Sequence, residues 1–260
     1  MGGYDFMKTL INWKLFFILL ITCVITSILV IPYSLELTSS KIEITPTILL
    51  LAAAQNLVLF AIATFLGLFL SKRIGMGVPI LQGVLDGKNQ TKELKAILLP
   101  SIGWGILAGV LIVLLCIPFN KIVPVFQNLE VSITTWKALL ASLYGGIAEE
   151  VLLRLFLVSL FVWITFKIKK GKDGGPTVLG IWISIILAAV FFGLGHLPAT
   201  AQITKLTGIV IIRAIVLNGV GGIIFGWLYW KKGLESAIIA HFSADIVLHV
   251  ITPFVIPLFS

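Results

Sequence analysis

Charged residues make up only 12% of this 260-residue chain, about half the ~25% of an ordinary soluble domain. With 59% hydrophobic residues and a mean hydropathy of +1.12, a water-soluble globular fold is excluded. Cysteine is nearly missing: Cys23 and Cys116 both lie in apolar runs and read as small buried residues. That argues against a disulfide framework or a cysteine-rich metal site. No HExxH motif occurs. An internal repeat is also missing, which weighs against an inverted-repeat transporter. No polar stretch is long enough for a separate soluble domain.

What the chain has instead is a series of apolar runs of bilayer length, at about 15–33, 47–70, 96–117, 137–166, 178–196, 207–229 and 234–258. A helix needs ~20 apolar residues to cross a bilayer. The expected fold is therefore all-α: a polytopic transmembrane bundle of about seven spans, with room for an eighth. Trp13, Trp136 and Trp230 stand at span ends, where an amphipathic ring suits the headgroup layer.

The net charge of +8 orients the protein. Lys8, Lys14, Lys72, Arg73, Lys88, Lys92, Lys95, Lys167, Lys169, Lys170, Lys172, Lys231 and Lys232 fall on one side. Only Lys41, Lys121, Lys137, Lys205 and Arg213 fall on the other. The positive-inside rule puts the N-terminus in the cytoplasm and, with seven spans, the C-terminus outside. The basic excess meets anionic lipid heads, and no nucleic-acid partner is expected. The first apolar run is too long for a signal core and lacks a small-x-small cleavage site before Pro32. Phe6 replaces the Ser or Thr that a Met1-Gly2 myristoylation start needs. The polar stretch 71–95 reads as a cytoplasmic loop whose apolar centre, 77–85, would lie on the membrane surface.

Polar content divides the chain. Residues 1–135 read as transmembrane scaffold helices and 136–260 as a catalytic core. The fourth span holds Glu149, Glu150 and Arg154; Asn218 lies in the sixth. Ionisable groups at such depth cost roughly 2.5–3.5 kcal/mol each on insertion scales and are usually functional. In an α-helix Glu150 and Arg154 share a face, while Glu149 points about 100° away. Arg154 can hold one glutamate while the other faces a cavity; a purely structural ion network is the alternative. The fifth span ends in Phe192-Gly193-Leu194-Gly195-His196, where the glycines allow close approach. In the seventh, Asp245 lies one turn from His241 and can fix its tautomer; His249 continues that face. Gly222 and Gly226 form a small-xxx-small pair in the sixth span.

The set Glu149-Glu150-x-x-x-Arg154, Phe192-x-x-x-His196 and His241-x-x-x-Asp245, in that order, resembles the CPBP intramembrane proteases. That family includes the type II CAAX prenyl endopeptidases and the Abi-type proteins linked to bacteriocin self-immunity. The resemblance spans about residues 137–250. It implies that Glu149 activates water, that His196 and His241 converge on its cavity, and that Glu150, Arg154 and Phe192 organise the site. Asp245 stands where many members have asparagine. An ionised aspartate only accepts hydrogen bonds, so an oxyanion would fall to a histidine or a backbone N–H. The resemblance leaves a divalent metal such as zinc open, with Glu149, His196, His241 and Asp245 as its ligands. No serine or cysteine pairs with these histidines, and Ser243 lies off the face of His241.

The implied activity is hydrolysis of a peptide or membrane-protein substrate, of the CAAX-protease or bacteriocin-processing kind, in a bacterial cell membrane. A non-enzymatic immunity or scaffold protein and a proton-coupled transporter are the alternatives. Counting helical rise from Lys167 and Lys232 leaves Glu150 and His241 at different depths. Either the fourth and fifth helices extend past the bilayer, or the turn at 230–234 dips inward. A site in the cytoplasmic half, open to water from that side, is expected.

Overall fold

In a bilayer every backbone N–H and C=O must find its partner within the protein, and helices satisfy this internally. The computed structural model describes residues 11–38, 43–123 and 134–255, which form helices and no strand. Lys8, Lys41, the Met1-Gly2 start and residues 256–258 of the expected last span lie outside the described residues. The helices are α1 (Trp13–Leu29), α2 (Ile31–Leu37), α3 (Pro46–Arg73), α4 (Pro79–Leu85), α5 (Thr91–Ile122), α6 (Thr135–Ile168), α7 (Val178–Gly195), α8 (Leu197–Ile203), α9 (Gly208–Lys232) and α10 (Leu234–Phe254). Joined end to end, α1–α2 and α7–α8 each count as one span. Seven spans are then long and apolar enough to cross a membrane. The chain is an integral, multi-pass membrane protein.

Large apolar side chains such as Leu50, Leu99 and Leu179 are exposed, as lipid-facing residues are. Buried polar groups pair across helices instead: Ser101 with Ser236 at 2.7 Å and Ser159 with the Tyr229 hydroxyl at 2.8 Å. Small residues bring α7 and α9 together. A Cβ on Gly193 would meet the backbone of Ile215 at 2.5 Å, and one on Gly222 would meet Ala189 at 2.6 Å. The small-xxx-small pair thus packs against α7, with Gly226 closing on Ile185.

Successive spans alternate, so the bundle has two unlike ends. Lys72, Lys167, Lys170 and Lys232 gather at one; Leu37, Thr135, Ile203 and Phe254 mark the other. At the lysine-rich end the segment 77–85 departs from its expected place on the membrane surface. It folds as α4, buries Val78 and Ile80, and caps the turn into α10. Leu234 N–H donates to Gly77 O at 2.9 Å, and Glu235 Oε1 accepts from Leu81 N–H at 2.8 Å. Gly233 makes the turn at φ +93°, a region that favours glycine, with Pro79 packed where a Cβ would be. The turn into α10 thus lies beneath α4, and α6 has 34 residues, about 50 Å at ~1.5 Å per residue, against ~30 Å of hydrocarbon.

Candidate active site

The middle of α6 departs from α geometry. Gly145–Glu149 and Val151–Val158 are wound as π-helix, with wider turns than 3.6 residues. The 100° offset expected between Glu149 and Glu150 therefore does not apply, yet the two still diverge. The Glu149 side chain is 21% exposed and lines a cavity, whereas that of Glu150 is fully buried. Glu150 Oε1 lies 2.9 Å from Arg154 Nη1. The contact is an ion pair rather than an aligned hydrogen bond, since Nη1 finds no hydrogen-bond acceptor. The guanidinium lies between the rings of Phe192 and Phe225, 5.1 and 5.4 Å from their centroids. This is cation–π contact that offsets part of its desolvation. Arg154 Nη2 also reaches Gly222 O at 3.5 Å.

The same Glu150 oxygen holds His241, whose Nδ1 lies at 2.7 Å. Since an ionised carboxylate only accepts, Nδ1 carries the proton. Glu150, rather than Asp245, thus fixes the tautomer, a correction that comes from the approach of α6 to α10. The ring stacks on Phe225 at 4.8 Å and meets the edge of Phe192 at 5.7 Å. Held on three sides, it turns Nε2 towards the cavity, 3.8 Å from Glu149 Oε2 and 3.6 Å from Asp245 Oδ1.

His196, at the junction of α7 and α8, lines the same cavity. Its Nδ1 is 2.9 Å from Phe192 O. A carbonyl only accepts, so Nδ1–H donates, and the neutral ring keeps a lone pair on Nε2. His249 sits in a third π-wound stretch, Ile246–Ile251, with Nε2 3.8 Å from Asp245 Oδ1. Its Nδ1 is 3.3 Å from the hydroxyl of Tyr33. Ser243 bonds Ile239 O on its own helix.

The cavity has a volume of about 570 Å³. Its polar floor is Glu149, His196, His241 and Asp245, under apolar walls that include Val30, Ile112 and Leu248. A larger hollow of about 1160 Å³ lies at the lysine-rich end but holds none of the motif residues. Three cavity features escaped the sequence reading. Tyr33 looked like an ordinary aromatic at a span end, and Tyr144 carried no pattern. Gly145 is the third: a Cβ there would strike Asp245 Oδ2 and come within 3.2 Å of His241 Nε2. Only a requirement for close approach, invisible along the chain, marks it.

Depth also differs from expectation. Tyr33, His196 and His249 lie near the ends of their spans remote from the lysines, and the cavity reaches Leu37 and Ala199 at that end. Its lining reaches further towards that end than towards the lysine-rich one, where Leu157 and Phe225 are its outermost residues.

Among the described residues, no three His, Cys, Asp or Glu side chains are grouped to hold a metal ion. Each motif histidine has its Nδ1 engaged, His241 with Glu150 and His196 with Phe192 O, which leaves Nε2 free, as a metal ligand's would be. As arranged, however, Glu149, His196, His241 and Asp245 are not grouped closely enough to form a donor set for zinc.

Carboxylates and imidazoles thus share one cavity inside a bundle of membrane-spanning helices. Residues 131–247 match the family described as Type II CAAX prenyl endopeptidase Rce1-like. The match covers the part of the chain that carries all three motifs, which is similar to the CPBP family they resemble, and supports a CAAX-protease-type membrane endopeptidase. No curated protein and no solved structure matched the chain.

Proposed function

We propose that the protein is an intramembrane endopeptidase in which Glu149 activates water for attack on a peptide bond. The observation that carries this reading is the position of Glu149, in the cavity beside a His241 ring locked by Glu150 and Arg154. A locked imidazole is already oriented before substrate arrives, which is where electrostatic catalysis gains most. Glu149 accepts a proton from the attacking water and returns it to the leaving amine. When protonated, His241 Nε2–H is the donor that faces the developing oxyanion. Neutral His196, with its free Nε2 lone pair, is suited to accept a proton or to orient the water. Asp245 bears on His241 from the far side and keeps Nε2 aimed into the cavity.

Substrates on this reading are extended peptide segments of membrane-associated proteins or peptides, lying along the apolar walls. The protein's setting on this reading is a bacterial membrane and an Abi-type role, bacteriocin self-immunity or peptide processing. The N-terminus lies in the cytoplasm. The test is cleavage of an internally quenched peptide by purified protein, comparing wild type with Glu149→Gln and His241→Ala at matched folding. Both variants should lose on the order of 10²–10⁴-fold in turnover, the scale of general acid–base catalysis. Cleavage retained in Glu149→Gln would end the proposal for Glu149, whereas no cleavage by the wild type would favour a peptide-binding immunity protein. Chelation should leave the wild-type rate unchanged; loss on chelation with rescue by zinc would require a metal at Glu149.

A further inference from the structure

The lining of the cavity runs out to the end of the bundle marked by Leu37, Ala199 and His249. Of the described basic residues, that end and its loops hold only Lys121, Lys137, Lys205 and Arg213. The opposite end holds Lys72, Arg73, Lys88, Lys92, Lys95, the run from Lys167 to Lys172, and the Lys231-Lys232 pair. Short loops bearing Lys and Arg stay in the cytoplasm, because moving such charges across the membrane potential is unfavourable. From these we infer that the active-site cavity opens to the non-cytoplasmic face. The substrate is then an apolar peptide segment presented from that face, such as a secreted peptide or the outer part of a membrane anchor. A prenylated tail presented in the cytoplasm would meet the sealed end.

The seal at the cytoplasmic end is physical. His241 lies beneath the Gly233 turn and α4, and Leu234 and Ala237 above it are fully buried. Phe225 stacks on the His241 ring, and the Arg154–Glu150 pair closes the floor behind it. At the open end the polar groups step outward from Asp245 to His249 to Tyr33. That gives water a polar route between apolar walls. The wall formed by α2 is fastened to the start of α6 by Glu36 Oε2 and Lys137 Nζ at 2.8 Å.

The substrate assignment rests on the endopeptidase reading; the direction of opening does not. Two measurements keep them apart. In a background with Cys23→Ala and Cys116→Ala, single cysteines are placed by Ala199→Cys at the cavity mouth and by Lys170→Cys at the basic end. Both positions are exposed. Intact cells are treated with a membrane-impermeant maleimide. Ala199→Cys should label in intact cells and Lys170→Cys only after lysis. The reverse pattern, or labelling of both in intact cells, would overturn the inference. The second measurement uses sealed proteoliposomes with an impermeant quenched peptide added outside. Cleavage should track the fraction of molecules whose residue-199 end faces outward, as read by the same labelling. Cleavage tracking the residue-170 end overturns the inference. If the labelling pattern holds but neither orientation cleaves, the endopeptidase reading falls and with it the substrate, while the opening stands.

Discussion

Glu150 shows how much one buried carboxylate can organise. A single oxygen meets both Arg154 and His241, so removing it would strand a buried cation and release the ring. Glu150→Gln should lower turnover and stability together, unlike Glu149→Gln, which should spare stability; thermal unfolding in detergent alongside kinetics separates them. Gly145 works by being small. Gly145→Ala should leave the protein folded but cut turnover at least tenfold, since its methyl group invades the space of Asp245 and His241. Overpacking of this kind costs about 1–3 kcal/mol. The Tyr33 hydroxyl pairs with His249 Nδ1 at 3.3 Å, and His249 Nε2 lies 3.8 Å from Asp245 Oδ1. Tyr33→Phe removes that pairing and should reduce kcat severalfold with KM unchanged. An unaltered kcat would show that the pair is only packing. The motif residues were legible because buried charge is rare enough to be noticed in a hydrophobic sequence. Tyr33 was not, since a tyrosine near the end of an apolar span has an ordinary explanation at the interface.

At the scale of elements, the existence and approximate bounds of the helices followed from run length alone. Their winding did not. Two π-wound stretches flank Glu150 and a third carries His249, and such turns occur frequently at functional sites. Neither an apolar period nor a propensity announces them, because the wider turn is stabilised by contacts with neighbouring helices. Helix α4 is a second case. An apolar stretch in a polar loop reads equally well as a surface segment or a cap, and the choice rests on Glu235. That carboxylate accepts the Leu81 N–H from beneath. Glu235→Ala should lower stability by about 1–3 kcal/mol, the cost of leaving a buried donor unpaired, visible as a reduced Tm in detergent. Activity per folded molecule should change less, because Glu235 touches no cavity group.

For the whole molecule, composition settles the solvent. At 12% charge and +1.12 mean hydropathy, the chain can expose its surface only to lipid, and lipid admits helices spanning from side to side. The lysine asymmetry likewise resides in the sequence, since each loop's charge is countable before any packing is known. The order of the three motifs is equally a sequence property and distributes the candidate site residues over α6, the end of α7 and α10. Tertiary structure alone decided how those motifs meet: which glutamate holds the histidine, which oxygen bridges to arginine, and which end of the bundle is open. Depth in a bilayer depends on where each helix starts relative to its neighbours. A turn sunk beneath α4 and a span of 34 residues shift that reference by many ångströms, a displacement set by packing between distant segments and not by any local pattern.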